Sequence, residues 1–182
     1  MTVATATLAP IQPEDASGVA HDLLAQVQKR LGRVPNMTKV MATSPTLLTS
    51  YLALSAAVGS GTIPAAVRDR LAIATAQLNG CEYCLSAHTY IGSNVSKVPA
   101  EELDAARHSG STNPHVAALL MLSRAIAENA GDVAEDTIAQ ARDAGVTNEE
   151  IGELVANLAL NVLTNYFNVL ARVENDWPVV AL

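Results

Sequence analysis

Leu78-Asn-Gly-Cys-Glu-Tyr-Cys-Leu-Ser-Ala-His88 is the stretch from which the fold and the chemistry of this chain can be read. It holds both cysteines of the protein, Cys81 and Cys84, and a histidine, His88, four residues beyond the second. Asn79-Gly80 is a strong breaker dipeptide, so one helix is expected to end there and another to start at the cysteines. Positions three and four apart share a helix face, which sets Cys81, Cys84 and His88 along one stripe. Adjacent turns also bring cysteine backbones to the Cα separation of about 4.4–6.8 Å that a disulfide requires. A thiol at a helix N-terminus feels the positive end of the macrodipole, and a nearby imidazolium acts in the same sense. Both favour the thiolate, which is the reactive form. His88 can equally act as the base that takes a thiol proton. The stretch therefore reads as a redox site.

The rest of the composition narrows the setting. The chain has 182 residues, of which 49% are hydrophobic and only 3% aromatic. Alanine and leucine are prominent, and that mixture favours helices over sheet. This length suits one domain with a sizeable core. The net charge is −7 with a pI near 4.9. No long basic run occurs, which argues against nucleic acid or an anionic membrane as partner. The first ten residues lack the basic region and apolar run of a signal peptide, so a cytoplasmic location is expected. In that compartment a cysteine pair at this spacing is expected to be catalytic or metal-binding rather than a structural staple.

Working outward, the chain reads as helices separated by breakers. Residues 1–13 read as an extended N-terminal arm. Val19, Leu23, Leu24, Val27 and Leu31 share a face of a first helix that Gly32 ends. A short helix over 37–42 follows the Arg33-Val-Pro-Asn36 connector. Ser44-Pro45 looks like an N-cap followed by proline at the first helical position, opening a helix to Gly59. Thr62-Ile-Pro64 restarts the chain into the helix that runs to Leu78. A loop at Gly92-Ser-Asn-Val-Ser96 leads to Pro99 and a short helix with Glu101 and Glu102 in its first turn. Asn113-Pro114 caps a further helix to about Asn129. Two capping boxes are expected beyond it, Asp132 with Glu135 and Thr147 with Glu150. No run alternates like a strand for long, so the fold is read as all-α.

The last helix, from Asn148 to about Glu174, has no charged residue between Glu153 and Arg172, as a membrane span would. Asn157, Asn161, Asn165 and Asn168 recur at helical spacing, and amides without partners are costly in hydrocarbon. A helix buried in the core or at a subunit interface is the better reading, with the asparagine seam structural. The high apolar content, a mean hydropathy of +0.21 and this long uncharged helix together predict a homo-oligomer. His21, His108 and His115 are expected on the surface, as is the cluster Glu149, Glu150 and Glu153. Trp177-Pro178 is expected to anchor the tail by packing.

With these residues assembled, the chain resembles the AhpD-like alkylhydroperoxidases of the carboxymuconolactone decarboxylase superfamily, closest to their peroxidase-related branch. The resemblance runs from about Leu31 onward. It rests on Leu31-Gly-Arg-Val-Pro-Asn36, Ser44-Pro45, Asn79-Gly-Cys-Glu-Tyr-Cys-Leu-Ser-Ala-His-Thr89 and the end Asn165-Tyr166 with Asp176-Trp-Pro178. It implies an AhpD-like helical bundle over residues 1–182, with its redox core at about 62–130, assembled as a trimer or hexamer. It implies a thiol peroxidase that needs no bound cofactor or metal. One thiolate attacks the peroxide O–O bond and becomes sulfenic acid, the other condenses with it, and an external dithiol of lipoamide or thioredoxin type reduces the disulfide. Cys84, nearer His88, is assigned as the attacking thiol and Cys81 as the resolving one, with the swapped order as the alternative.

The same resemblance implies a role for Asp69, which lies twelve residues before Cys81, where the family carries a glutamate in a proton relay with the histidine. If the chain reverses at Asn79-Gly80, Asp69 lies about 16 Å back and His88 about 12 Å forward, at 1.5 Å per residue. The two then sit at comparable heights on antiparallel helices. The plainer reading pairs Asp69 with Arg68, Arg70 or solvent. Tyr83, between the cysteines, is a poor base with a phenol pKa near 10 and is given a packing or hydrogen-bonding role. Four other readings of the chain stand beside the peroxidase. They are a thiol-disulfide reductase or redox sensor, a decarboxylase like the superfamily's namesake, a non-enzymatic scaffold with a fossil site, and a zinc site built on Cys81, Cys84 and His88. The zinc reading lacks a second Cys/His pair.

Overall fold

A computed structural model describes residues 7–182. The part of the N-terminal arm before Thr7 lies outside the described residues. The remainder of that arm is non-helical. It is tied down by hydrogen bonds from the Thr7 amide to the Ala171 carbonyl and from the Ile11 amide to the Lys39 carbonyl, each 3.0 Å.

The described residues form helices with no strand among them: α1 Gly18–Leu31, α2 Asn36–Met41, α3 Pro45–Gly59, α4 Ala65–Leu78, α5 Glu82–Asn94, α6 Ala100–Arg107, α7 Pro114–Glu128, α8 Glu135–Asp143 and α9 Asn148–Ala171. Local chemistry explains most of the boundaries. Gly32 ends α1 in the left-handed region, at φ 72°, where glycine carries no Cβ penalty. The Ser44 hydroxyl accepts from the Leu47 amide, with Pro45 as the first helical residue. The Asn113 side chain accepts from the His115 and Val116 amides. Thr147 and Glu150 form the reciprocal capping box at the start of α9.

Helix α4 is the hub, packed against α5, α6, α7 and α9. Val67, Asp69, Arg70, Leu71, Ala72, Ile73, Thr75 and Ala76 are all buried, so burial extends around most of its circumference. A helix so enclosed leaves its polar residues no water, and each must find a partner inside the protein. The core spreads from α4 through Leu85, Leu103, Leu119, Leu120, Leu122 and Leu154.

Helix α9 is inverted relative to an ordinary amphipathic helix. Its buried face carries Asn157, Asn161, Asn165 and Asn168, while Val155, Tyr166, Val169 and Leu170 are exposed. It is the one helix among the described residues long and apolar enough to cross a membrane. Its amide seam, however, lies inside the bundle.

Several expectations need correction. Val19 and Leu31 are exposed, so the α1 face narrows to Leu23, Leu24 and Val27. Helix α5 runs on to Asn94 and takes in Gly92, which the sequence places in a loop. A Cβ there would lie 2.7 Å from Leu103 Cδ2, so glycine serves close packing of α5 on α6. The Asp132 capping box does not form, because α8 starts after Ala134 with no side-chain cap. Helix α9 stops at Ala171, with Arg172 in the left-handed region. His115 is not a free surface residue. Its ring nitrogens reach the Ala144 carbonyl at 2.9 Å and Glu150 Oε1 at 2.8 Å. Glu153 is not solvated surface either, since it accepts from the Thr62 amide at 2.6 Å and the Ile63 amide at 2.8 Å. It thereby clamps the turn before α4.

Candidate active site

The turn at Asn79-Gly80 reverses the chain, with Gly80 at φ 65°, a region that only glycine visits readily. Helix α5 then starts with Cys81 as its N-cap. The Cys81 sulfur accepts from the Cys84 amide at 3.3 Å, taking the place that a serine or aspartate oxygen usually fills. Cys81 and Cys84 are joined as a disulfide with Cα atoms 5.4 Å apart, inside the range expected from their spacing. The same helix start that holds the oxidised pair also presents unpaired N–H groups and a positive dipole end to the reduced sulfurs.

The antiparallel hairpin brings the other two singled-out residues together. Asp69 Oδ1 lies 3.2 Å from His88 Nδ1, a direct contact between α4 and α5. Ser96 donates to the second carboxylate oxygen, Asp69 Oδ2, at 2.5 Å. Arg70 turns away to Glu102, with Arg70 Nη1 to Glu102 Oε2 at 2.7 Å, and Arg68 donates to the Ile63 carbonyl. The plainer reading, with Asp69 paired to a neighbouring arginine, therefore does not hold. Of the four singled-out residues His88 is the most exposed, its side chain 30% accessible against 11% for Asp69. Both cysteines are buried. A carboxylate on Nδ1 fixes the imidazole's orientation and leaves Nε2 free to exchange a proton.

Asn168, on α9, belongs to the seam expected to be structural, yet its Nδ2 points at Cys84 Sγ at 3.1 Å and at Met37 Sδ at 3.3 Å. Its Oδ1 is buried with no partner among the described residues. An amide donor aimed at a sulfur stabilises the thiolate more than the thiol. Helical spacing placed Asn168 in the seam, but only the tertiary packing shows which seam residue meets the sulfur. Its neighbour in the seam, Asn165, accepts from Asn79 Nδ2 at 3.1 Å and ties the hairpin turn to α9.

Tyr83 takes the packing and hydrogen-bonding role expected of it. Its hydroxyl donates to Asp176 Oδ1 at 2.8 Å and accepts from the Met37 amide at 3.3 Å. Burial pushes the phenol well above its ordinary value, and the Asp176 carboxylate adds to that rise. Asp176 also binds Arg33, whose guanidinium lies 4.5 Å over the Trp177 ring. Trp177 in turn packs on Tyr90, with ring centroids 5.5 Å apart. Asn175 and the Val180 amide both donate to Ser86 Oγ at 3.0 Å. The C-terminal tail is thus strapped across the helix that carries the cysteines.

The model of the carboxymuconolactone decarboxylase family matches residues 45–119, a span that includes Asp69, Cys81, Cys84 and His88. Over that span the chain is similar to the carboxymuconolactone decarboxylase family, and its fold as a whole is the AhpD-like helical bundle. Among solved structures, the chain resembles the AhpD core of a peroxidase-related protein from Ralstonia eutropha JMP134. That match has TM-score 0.82 and 21% identity, and covers 94% of this chain and 92% of that one. A peroxidase-related protein from Silicibacter sp. TM1040 is similar at TM-score 0.79 and 17% identity, over 97% and 96% of the two chains. The debrominase Bmp8, in complex with 2,3,4-tribromopyrrole, matches at TM-score 0.79 and 19% identity, over 95% and 93%. No curated protein matches the chain in sequence.

Proposed function

We propose that this protein is a thiol peroxidase that reduces hydrogen peroxide or organic hydroperoxides through a Cys81–Cys84 disulfide cycle. The observation that carries the reading is the hairpin itself. It holds a disulfide-bonded cysteine pair at a helix N-terminus and an Asp69–His88 couple on the same hairpin. In the reduced enzyme His88 takes the proton of the attacking thiol, and the thiolate displaces one peroxide oxygen as the alcohol or water. The second thiol then attacks the sulfenic acid and releases water. Two thiols and one hydroperoxide give one disulfide, one alcohol and one water, so electrons balance. Cys84 is the attacking thiol in this reading, supported by the Asn168 amide at its sulfur. An external dithiol closes the cycle by thiol-disulfide exchange, and a reducing, cytoplasmic setting would supply it. The working form is a homo-oligomer, supported by the outward apolar residues Val155, Tyr166, Val169 and Leu170 of α9.

A second reading uses the same pair on a different bond. The structural likeness to a debrominase favours it. Two thiols can remove a halogen from a heteroaryl bromide, giving the arene C–H, bromide with a proton, and the disulfide. The deciding experiment follows thiol oxidation of the reduced protein with cumene hydroperoxide and, separately, with a brominated pyrrole, using dihydrolipoamide for turnover. Rapid catalytic loss of hydroperoxide, abolished in Cys84→Ser, supports the peroxidase. Bromide release without hydroperoxide turnover would transfer the assignment to dehalogenation.

A further inference from the structure

A cavity of about 280 Å³ lies between the last turn of α4, the end of α6 and the outer half of α7, lined in part by Arg107, His108, Ser109, Ser123 and Arg124. None of the four residues of the redox site lines it. Its chemistry departs from that of the chain as a whole. The protein carries 18 acidic residues against 11 lysines and arginines, yet two arginines and a histidine line this cavity and no acidic residue does.

The two serines carry the inference. Ser109 and Ser123 are 7% and 5% exposed, and both line the cavity. Neither hydroxyl makes a hydrogen bond to any other group among the described residues, and neither oxygen is fully enclosed, so both remain open to whatever occupies the cavity. Ser109 is also held at φ 59°, where an L-residue other than asparagine or aspartate is uncommon. Arg107 is positioned by Gln77, which accepts from its Nε at 2.7 Å, and by the Ala181 carbonyl, which accepts from Nη2 at 2.9 Å. Its Nη1 remains to donate. Arg124 pairs with Glu128 at 2.8 Å on the rim. Ala74, Leu78 and Ala127 supply an apolar wall.

We propose that this cavity binds a small organic anion. Its oxyanion head lies against Arg107 and the Ser109 and Ser123 hydroxyls, and its short apolar body against Ala74, Leu78 and Ala127. Two hydroxyl donors beside a guanidinium match a carboxylate or phosphoryl group, with charge-assisted hydrogen bonds. The volume is at the small end for ligand sites, which begin near about 300 Å³.

Calorimetric titration of the full-length protein with benzoate, benzamide and inorganic phosphate tests this site. Benzoate presents head and body, benzamide a neutral head, and phosphate the head alone. The expected result is binding of benzoate and not of benzamide, while the phosphate arm reports whether the head suffices without the body. Ser109→Gly removes one hydroxyl and suits the positive φ, and Ser123→Ala removes the other without adding bulk. Each is expected to weaken benzoate binding about two- to tenfold, and Ser109→Gly to raise the melting temperature of the free protein. Lys29→Gln, at an exposed position of α1, is expected to leave binding unchanged. The proposal is overturned if no anion binds, if benzamide binds as tightly as benzoate, or if both serine variants keep full affinity.

Discussion

Replacing Glu102 with glutamine tests how the buried polar network around α4 holds the hairpin in place. Glu102 Oε2 accepts from Arg70 Nη1 at 2.7 Å and from Ser111 Oγ at 2.6 Å. Its Oε1 accepts from the Thr112 amide at 2.8 Å and the Thr112 hydroxyl at 2.5 Å. Hydrogen bonds from Ser111 and Thr112, with the Arg70 guanidinium adding to them, hold the carboxyl down from 4.5 to about 2. At about 1.4 kcal/mol for each tenfold change in proton affinity, that fall bounds the linked stabilisation at about 3 kcal/mol. The group lies just beneath the surface, and screening by nearby water lowers the expected value to about 2 kcal/mol. Glutamine keeps the shape but sets an amide donor against donors and leaves Arg70, only 10% exposed in its side chain, without its counter-charge. The expected total loss at neutral pH is about 2–3 kcal/mol, or about 4–12 °C in melting temperature for a chain of this size.

The sign of the pH dependence follows from the lowered carboxyl. Its contribution is complete above 4.5 and is lost as pH falls toward 2. Urea unfolding of wild type and Glu102→Gln at fixed protein concentration should show the full gap at pH 7 and less than half of it at pH 3. A gap that stays constant across that range would refute the linkage, and one below about 0.5 kcal/mol at pH 7 would refute the network's importance.

At the site, His88→Ala should slow the reaction with hydroperoxide by about 10²–10⁴-fold. Asp69→Asn should slow it less, because the imidazole remains and only its orientation and partner are lost; stopped-flow rates equal to wild type for Asp69→Asn would make that contact purely structural. Asn168→Leu should raise the Cys84 thiol pKa, read from the pH dependence of alkylation of the reduced protein, with little cost in stability because an unpaired buried oxygen is removed with it. An unchanged alkylation profile would remove Asn168 from the site. His115 is raised above its ordinary value by the Ala144 carbonyl first and Glu150 second. Its contribution is therefore full below about 6.5 and lost as pH rises through the raised value. Thermal melts should show His115→Gln destabilised at pH 6 and much closer to wild type at pH 9, and an equal deficit at both would contradict that assignment.

The parts of this structure legible in the sequence are the local ones. Asn79-Gly80 announces the reversal, the i, i+3 spacing gives the disulfide its geometry, and Ser44-Pro45, Asn113-Pro114 and Thr147 with Glu150 mark helix starts by chemistry confined to four residues. The Asp69–His88 contact is what the family resemblance implies, and the hairpin's rise per residue makes it reasonable by placing both residues at comparable heights. What stayed hidden depends on packing between distant segments. Glu102 looked like an ordinary first-turn acid, and nothing near it in sequence signals Arg70, 32 residues away. Glu153 reads as surface until Thr62 and Ile63 come to it across 90 residues. The asparagine seam was visible as a period, but a period alone does not say that the seam faces inward and the valines outward. Nor does it say that Asn168 meets Cys84.

The central claim is the peroxide-driven disulfide, and titrating the reduced protein with cumene hydroperoxide while counting free thiols and measuring intact mass tests it most directly. The account predicts loss of both thiols of each chain at one equivalent of hydroperoxide, with a mass decrease of two hydrogens, and no disulfide in Cys84→Ser. Thiols that persist under excess hydroperoxide, yet exchange readily with a small disulfide, would contradict it and make the pair a reductase or sensor.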